Sequence, residues 1–162
     1  MVAIMNEALQ LEVGQKVLEV GAGSGWHSAT IAEVIAPCHA PRSEWGHVYA
    51  VEIVKDLAEL ARKNIMNDGY GDRVTITCGD GSKGYPQKAP YDRVLVTSAA
   101  PRVPKPLVDQ LKSNGVMLIP IGSLSLFQTL IKITKGADGA LKEENLGGVA
   151  FVPLKGEYGH KL

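Results

Sequence analysis

Glu19 stands two residues ahead of the cluster Gly21-Ala22-Gly23-Ser24-Gly25, and two further acids, Glu52 and Asp80, each close or follow a short apolar run. A strand that enters G-x-G-x-G lets backbone approach a ligand closely, because positive φ costs glycine little. The helix that opens after such a loop offers free N–H groups to polar or anionic atoms. A carboxylate at the end of the next strand, as Glu52 is in Val48-Tyr49-Ala50-Val51-Glu52-Ile53, can accept both hydroxyls of a ribose laid over the loop. Glu52 lies 27 residues beyond Gly25, longer than the usual ~20, and the loop Ala36 to Gly46 accounts for the excess. Asp80, flanked by Gly79 and Gly81, falls at the same sheet edge, where it can accept from an adenine amino group. The small residues Thr97-Ser98-Ala99-Ala100-Pro101 after a later strand leave room for a substrate beside a cofactor.

The dinucleotide fingerprint G-x-G-x-x-G requires a third glycine where Trp26 stands, and an indole obstructs a pyrophosphate. Glu19 adds negative charge beside the loop. That charge repels phosphate and suits a cation such as a sulfonium amino acid. The histidines His27, His39, His47 and His160 show no metal-ligand spacing, and Cys38-His39 has no partner pair, so no metal is expected. His27, one turn into the helix after the glycine loop, can approach the site.

The elements that must position these residues follow from periodicity. Met1 to Leu9 has Val2, Met5 and Leu9 on one helical face. Lys16 to Val20 reads as a buried strand, Trp26 to Ile35 as a helix, His47 to Ile53 as a strand, and Val54 to Ile65 as a helix closed near Asp68-Gly69. Val74, Ile76 and Cys78 alternate with threonines, which suits a sheet edge. Tyr91 to Thr97 is a strand. Pro104 and Pro106 open a helix with Leu107, Val108 and Leu111 on its face, capped at Asn114-Gly115. Val116 to Ile121, Leu124 to Thr134 and Ala140 to Leu154 complete seven strands, the last two joined by a turn at Asp138-Gly139. Alternating strands and helices imply a doubly wound, mostly parallel α/β sheet, with the closing hairpin antiparallel. Ligands of such sheets bind beyond the carboxyl ends of the strands at the switch point in strand order, where Gly21 to Gly25 should sit.

The chain has 162 residues, 45% hydrophobic and 21% charged, which is the length and composition of one globular domain, taken as 1–162. Seventeen basic residues balance seventeen acidic ones, without the basic excess of a duplex binder, so no nucleic-acid partner is expected. The longest apolar run, Gly115 to Gly122, falls far short of the ~18 residues of a membrane span, and Met1 to Gln10 lacks the basic start of a signal peptide. Cys38 and Cys78 make no disulfide framework and are expected to be reduced, in a cytoplasmic protein.

Taken together, V-L-E-V-G-A-G-S-G-W, the G-D-G turn, A-P-Y-D followed by V-T-S-A-A-P, the strand G-V-M-L-I-P-I-G and the late F-V-P-L resemble the class I S-adenosylmethionine-dependent methyltransferases. They are more closely similar to the protein-L-isoaspartate O-methyltransferase family, from Met1 to about Gly156. The resemblance implies a Rossmann-like methyltransferase fold with S-adenosyl-L-methionine as cofactor. The methyl acceptor would be the free carboxylate of isoaspartyl residues in damaged proteins, the enzyme a monomer. It implies a cofactor site of Glu19, Gly21, Ala22, Gly23, Ser24, Gly25, Glu52, Ile53, Gly79, Asp80, Gly81 and Thr97. Gly21, Gly23 and Gly25 would line the methionine part, Glu52 would hold the ribose and Asp80 the adenine amine. Ser98, Ala99, Ala100 and Pro101 would border the substrate groove. In the family a segment preceding the first helix covers the active site and carries a serine that has no counterpart in this sequence. Cofactor binding is therefore expected, with methyl transfer weak or absent if Met1 is the true start. A class I methyltransferase with another acceptor and a non-catalytic cofactor-binding module of a larger assembly stay open as alternatives.

Overall fold

The computed structural model of the chain describes residues 1–123 and 127–161. Among the described residues, four α-helices, α1 (Val2–Leu9), α2 (Trp26–Ile35), α3 (Lys55–Asn67) and α4 (Lys105–Asp109), accompany seven strands. The strands are β1 (Lys16–Val20), β2 (His47–Glu52), β3 (Val74–Cys78), β4 (Tyr91–Val96), β5 (Leu111–Gly122), β6 (Gln128–Lys135) and β7 (Leu141–Val149). They form one sheet in the order β3-β2-β1-β4-β5-β6-β7, parallel through β5 and antiparallel for the β5–β6 and β6–β7 pairs.

Central strands buried on both faces read as continuous apolar runs, and β1 and β4 each bury their carboxyl-terminal halves completely. β3 alternates, with Val74 and Ile76 inside and Thr75 outside, as an edge strand does. One face is covered by helices: Met5 and Leu9 of α1, Ile31 and Ile35 of α2, and Ala58, Ala61 and Ile65 of α3 pack on Val17, Val48, Ile76, Leu95 and Leu118. The opposite face, with Leu18, Val20, Val94, Val96, Met117 and Ile119, is covered more thinly. There short α4 contributes Leu107, and Tyr85 and Leu154 come from irregular segments.

Three expectations need correction. The helix begun at Pro104 does not run to Asn114-Gly115. α4 ends at Asp109, and Leu111 and Asn114 belong to β5. Leu111 pairs with Tyr91 and Val116 with Arg93, so residues 112–115 bulge out of the ladder with Asn114 at φ 62°. Backbone pairing with β4 outweighs the helical spacing of Leu107, Val108 and Leu111, and Lys112 Nζ, 2.7 Å from Asp92 Oδ1, fastens the bulge. The last strand stops at Val149 rather than Leu154, because Phe151 leaves the ladder. Its N–H donates to Gln128 Oε1 (2.6 Å), and its carbonyl accepts from Gln128 Nε2 (2.9 Å). The preceding strand begins at Gln128; Leu124, Ser125 and Leu126 of the expected span lie outside the described residues.

Candidate active site

β2 follows β1 on one side and β4 lies on the other, so the switch in strand order falls between β1 and β4. Their carboxyl ends, Val20 and Val96, open onto the loops Gly21–Gly25 and Thr97–Pro101. Thr97 ties the two together: its N–H donates to Val20 O at 3.0 Å, and its Oγ1 lies 2.6 Å from Gly21 O. Gly21 has φ 94°, and a Cβ there would lie 2.5 Å from Thr97 Oγ1, so only glycine satisfies both the turn and the contact.

A cavity of about 530 Å³ occupies this switch point, within the ~300–1,000 Å³ typical of small-molecule sites. Its floor is Val20, Gly21, Gly23, Val51, Glu52, Gly81, Thr97 and Ser98. Ile53, Val54 and Leu57 form an apolar wall on the β2 side, and the segment Val152–Lys155 forms the opposite wall. Glu52 is 6% exposed and is held from two directions: Oε2 accepts from the Gly23 N–H and Oε1 from the Val54 N–H, each at 2.9 Å. Each carboxylate oxygen retains a further lone-pair direction. The arrangement offers a buried, oriented pair of acceptors beside an apolar wall, which suits a diol attached to an aromatic base.

Of the residues expected at a cofactor site, Gly21, Gly23, Glu52, Ile53, Gly81 and Thr97 line this cavity, and Ser98 joins them from the expected substrate set. The others lie elsewhere. Ala22 is buried in the core, and Ser24 and Gly25 face a second hollow of about 540 Å³ on the far side of the loop, with Trp26, Asn64 and Tyr70. Gly79 donates its N–H to Glu52 O at 2.9 Å, supporting the floor from behind. Asp80 is turned to Ser82 and to the Glu157 backbone. Ala99 and Ala100 are fully buried, their backbones bridged to Pro153 and Ile121, and Pro101 is exposed outside the lining. His27 is buried between α1 and α2, with Nε2 2.9 Å from Asn6 Oδ1. Among the described residues no group of three or more His, Cys, Asp or Glu is placed to hold a metal ion.

Glu19 differs from the charged acid expected beside the loop. It is fully buried on the α2 side, receives a hydrogen bond from Ser28 Oγ, and leaves Oε1 without a partner. Burial pushes its pKa up to about 8, with the Ser28 bond opposing and the nearby Glu52 charge adding, so at neutral pH it is largely uncharged. The walls were the part that sequence reasoning missed. Val54, Leu57 and Lys155 carried no motif, and F-V-P-L stood out in the sequence without a role.

A doubly wound sheet with its cavity at the β1–β4 switch point, a glycine loop on its floor and an acid closing β2 defines a chain with the fold of S-adenosylmethionine-dependent methyltransferases. A solved S-adenosylmethionine-dependent O-methyltransferase from Thermotoga maritima shares that fold, with a TM-score of 0.62 and 20% identity over 93% of this chain and 61% of that one. Within that class the chain belongs to the protein-L-isoaspartate(D-aspartate) O-methyltransferase family, whose model matches residues 1–159. It is similar to the protein-L-isoaspartate O-methyltransferase of Hyperthermus butylicus, 56% identical over 98% of this chain and 66% of that protein. It is 51% identical to that of Thermococcus onnurineus over 99% of this chain and 69% of the relative. The chain thus spans about two thirds of the length of these curated relatives. A solved protein-L-isoaspartate O-methyltransferase superposes with a TM-score of 0.86 at 31% identity, covering 98% of this chain and 47% of the other. A putative Plasmodium falciparum member, in complex with S-adenosyl-L-homocysteine, gives 0.79 at 26% identity, with 95% and 71% covered. Among the described residues no helix is long and apolar enough to cross a membrane.

Proposed function

We propose that the switch-point cavity binds S-adenosyl-L-methionine and that the chain directs methyl transfer to the free carboxylate of L-isoaspartyl residues in damaged proteins. The observation that carries this reading is the doubly anchored Glu52 carboxylate on the cavity floor, in a chain whose family match runs from residue 1 to 159. The residues present fit the cofactor. Glu52 keeps acceptor capacity for two ribose hydroxyls, and Gly23, with open space where a Cβ would stand, admits the amino-acid part against backbone. Ile53, Val54 and Leu57 supply an apolar surface for the base.

Bound there, the sulfonium nucleoside supplies an already activated methyl group. An isoaspartyl carboxylate is ionised at neutral pH and needs no general base. The chain's share is then geometric: Gly21, Gly23 and Thr97 fix the donor side, and Ser98 borders the acceptor side. Holding donor and acceptor in line can contribute up to ~7–11 kcal/mol to the barrier reduction. In this reading the chain acts as one cofactor-binding domain, a monomer in the cytoplasm. The methyl ester it forms decays through a succinimide, returning part of the damaged residue to normal aspartate.

Two measurements on the 162-residue chain test the proposal. Calorimetry should find binding of S-adenosyl-L-homocysteine and none of NAD; the reverse would overturn the cofactor assignment. Labelled methyl groups should pass to an isoaspartyl peptide, as base-labile ester, and not to its aspartyl isomer. Equal labelling of the two isomers would overturn the acceptor assignment.

A further inference from the structure

Val152–Lys155 forms one wall of the cavity and belongs to no helix or sheet strand. The segment crosses the carboxyl edge of the sheet, since Phe151 packs with the helix-covered face and Leu154 with the opposite one. Val152, between them, is 70% exposed. Pro153 has no N–H with which to pair.

The path into this wall is set at the end of β7. Val149 pairs with Gln128, where β6 begins, so the ladder offers Phe151 no further β6 residue. The Gln128 side chain takes that place. Its Oε1 accepts from the Phe151 N–H at 2.6 Å, and its Nε2 donates to Phe151 O at 2.9 Å. A primary amide presents an acceptor and a donor side by side, as the backbone of a strand does. Gln128 is buried and is not part of the cavity lining.

The amide closes a circuit of contacts. The Ala99 N–H donates to Val152 O at 2.8 Å, and the Leu154 N–H donates to Ala99 O at 2.7 Å. The next residue, Ala100, accepts at its carbonyl from the Gly122 N–H at 3.1 Å, and Gly122 pairs with Gln128 in the β5–β6 ladder. A Cβ on Gly122 would lie 2.8 Å from Gln128 Cα and 3.1 Å from its Cγ, so the seating of Gln128 requires glycine there. Ser98, one residue before Ala99, lines the cavity. Segments with few packing contacts open locally at low free-energy cost unless they are pinned.

We propose that Gln128 is a positioning residue for the cavity: its side-chain amide, standing in for strand backbone at the end of β7, turns the chain at Phe151 and holds Val152–Lys155 as a wall against the ligand. The proposal rests on reading the cavity as the nucleoside site. Gln128 acts on the ligand only through Phe151.

The test compares wild type, Gln128→Leu and Gln128→Glu in the full chain, with S-adenosyl-L-homocysteine as probe. Gln128→Leu removes both hydrogen bonds at similar volume. Gln128→Glu keeps the acceptor for the Phe151 N–H, and when ionised it sets oxygen against oxygen at Phe151 O. Once protonated, the introduced carboxyl regains a donor and restores both bonds. Burial raises its pKa above the ordinary ~4.3, so it titrates between about pH 5 and pH 8. At pH 8 both variants should bind the probe about tenfold more weakly than wild type, the order expected when binding must first restore a hydrogen-bonded segment. Relative to wild type at each pH, Gln128→Glu should recover most of that loss by pH 5, and Gln128→Leu none. A merely structural role would lower unfolding stability without this recovery of affinity. Without ligand, hydrogen exchange at the Ala99 and Leu154 amides should quicken in Gln128→Leu by more than at the Leu18 amide of β1, which reports global opening. Should Gln128→Leu fail to fold by circular dichroism, Gln128→Glu carries the comparison by itself. Wild-type affinity in a folded Gln128→Leu, or a Gln128→Glu loss equal at pH 5 and pH 8, would overturn the positioning role. If wild type binds no probe, the cofactor reading fails, and exchange at Ala99 and Leu154 still decides whether Gln128 holds the wall.

Discussion

The Gly23 amide donates to Glu52 Oε2 at 2.9 Å, so the loop after β1 and the end of β2 are joined across the cavity floor before any ligand arrives. The Val54 amide holds the other oxygen, which fixes the carboxylate plane. Such preorganisation lowers the ordering cost of binding. In the proposed site it makes Glu52 a residue of stability as well as of recognition.

Glu52→Gln replaces one accepting oxygen by an amide nitrogen that only donates and so faces an N–H with another donor. Urea unfolding should record a loss of about 1–3 kcal/mol. Calorimetry should record at least roughly tenfold weaker S-adenosyl-L-homocysteine, since a hydroxyl loses a charged acceptor. Unaltered affinity in a folded variant would remove Glu52 from the ribose site.

Gly21→Ala places a Cβ against Thr97 Oγ1 and asks a non-glycine residue to hold φ 94°. Strain of this kind costs of order 1–3 kcal/mol. Thr97→Ala, combined with Gly21→Ala, should recover the steric share and leave the backbone share. A double variant no more stable than Gly21→Ala alone would show that the clash is not the cause.

Glu19 makes stability depend on pH in the direction opposite to a paired acid. Its folded pKa of about 8 lies above the ordinary 4.5, so between those values the folded state keeps a proton that the unfolded state has released. Stability is then fully present below about 4.5 and declines as pH rises toward 8. Glu19→Gln keeps the shape without the titration. Its thermal midpoint should therefore rise relative to wild type between pH 5 and pH 8, by an amount worth up to a few kcal/mol. A constant offset across that range would show that Glu19 is ionised in the folded chain.

Asn114 holds φ 62° in the β5 bulge, a conformation that asparagine tolerates and β-branched residues do not. Asn114→Gly should be neutral or slightly stabilising, and Asn114→Val should cost about 1–3 kcal/mol. Chemical denaturation of the pair checks this. Equal stability would place the bulge elsewhere.

What the sequence determined by itself was local. The β1 run into Gly21–Gly25, the acid closing β2 and the alternating edge strand β3 are each written within ten or so consecutive residues, because side-chain period and glycine φ are properties of short segments. Seven strands, their mostly parallel arrangement and the position of the glycine loop at the switch point were legible for that reason. What only the tertiary structure decided depends on partners far apart in sequence. Leu111 reads as one more turn of helix until Tyr91 offers a strand to pair with. Phe151 leaves the last ladder because Gln128 takes both of its backbone groups. Glu19 reads as a charged acid until burial beside Ser28 makes its neutral form the cheaper one. Nothing near Asp80 in the sequence announces that the Glu157 amide, 77 residues on, meets its carboxylate. Burial and long-range hydrogen bonding have no local signature, so the protonation state of Glu19 and the wall across the cavity emerged only once the chain had folded around them.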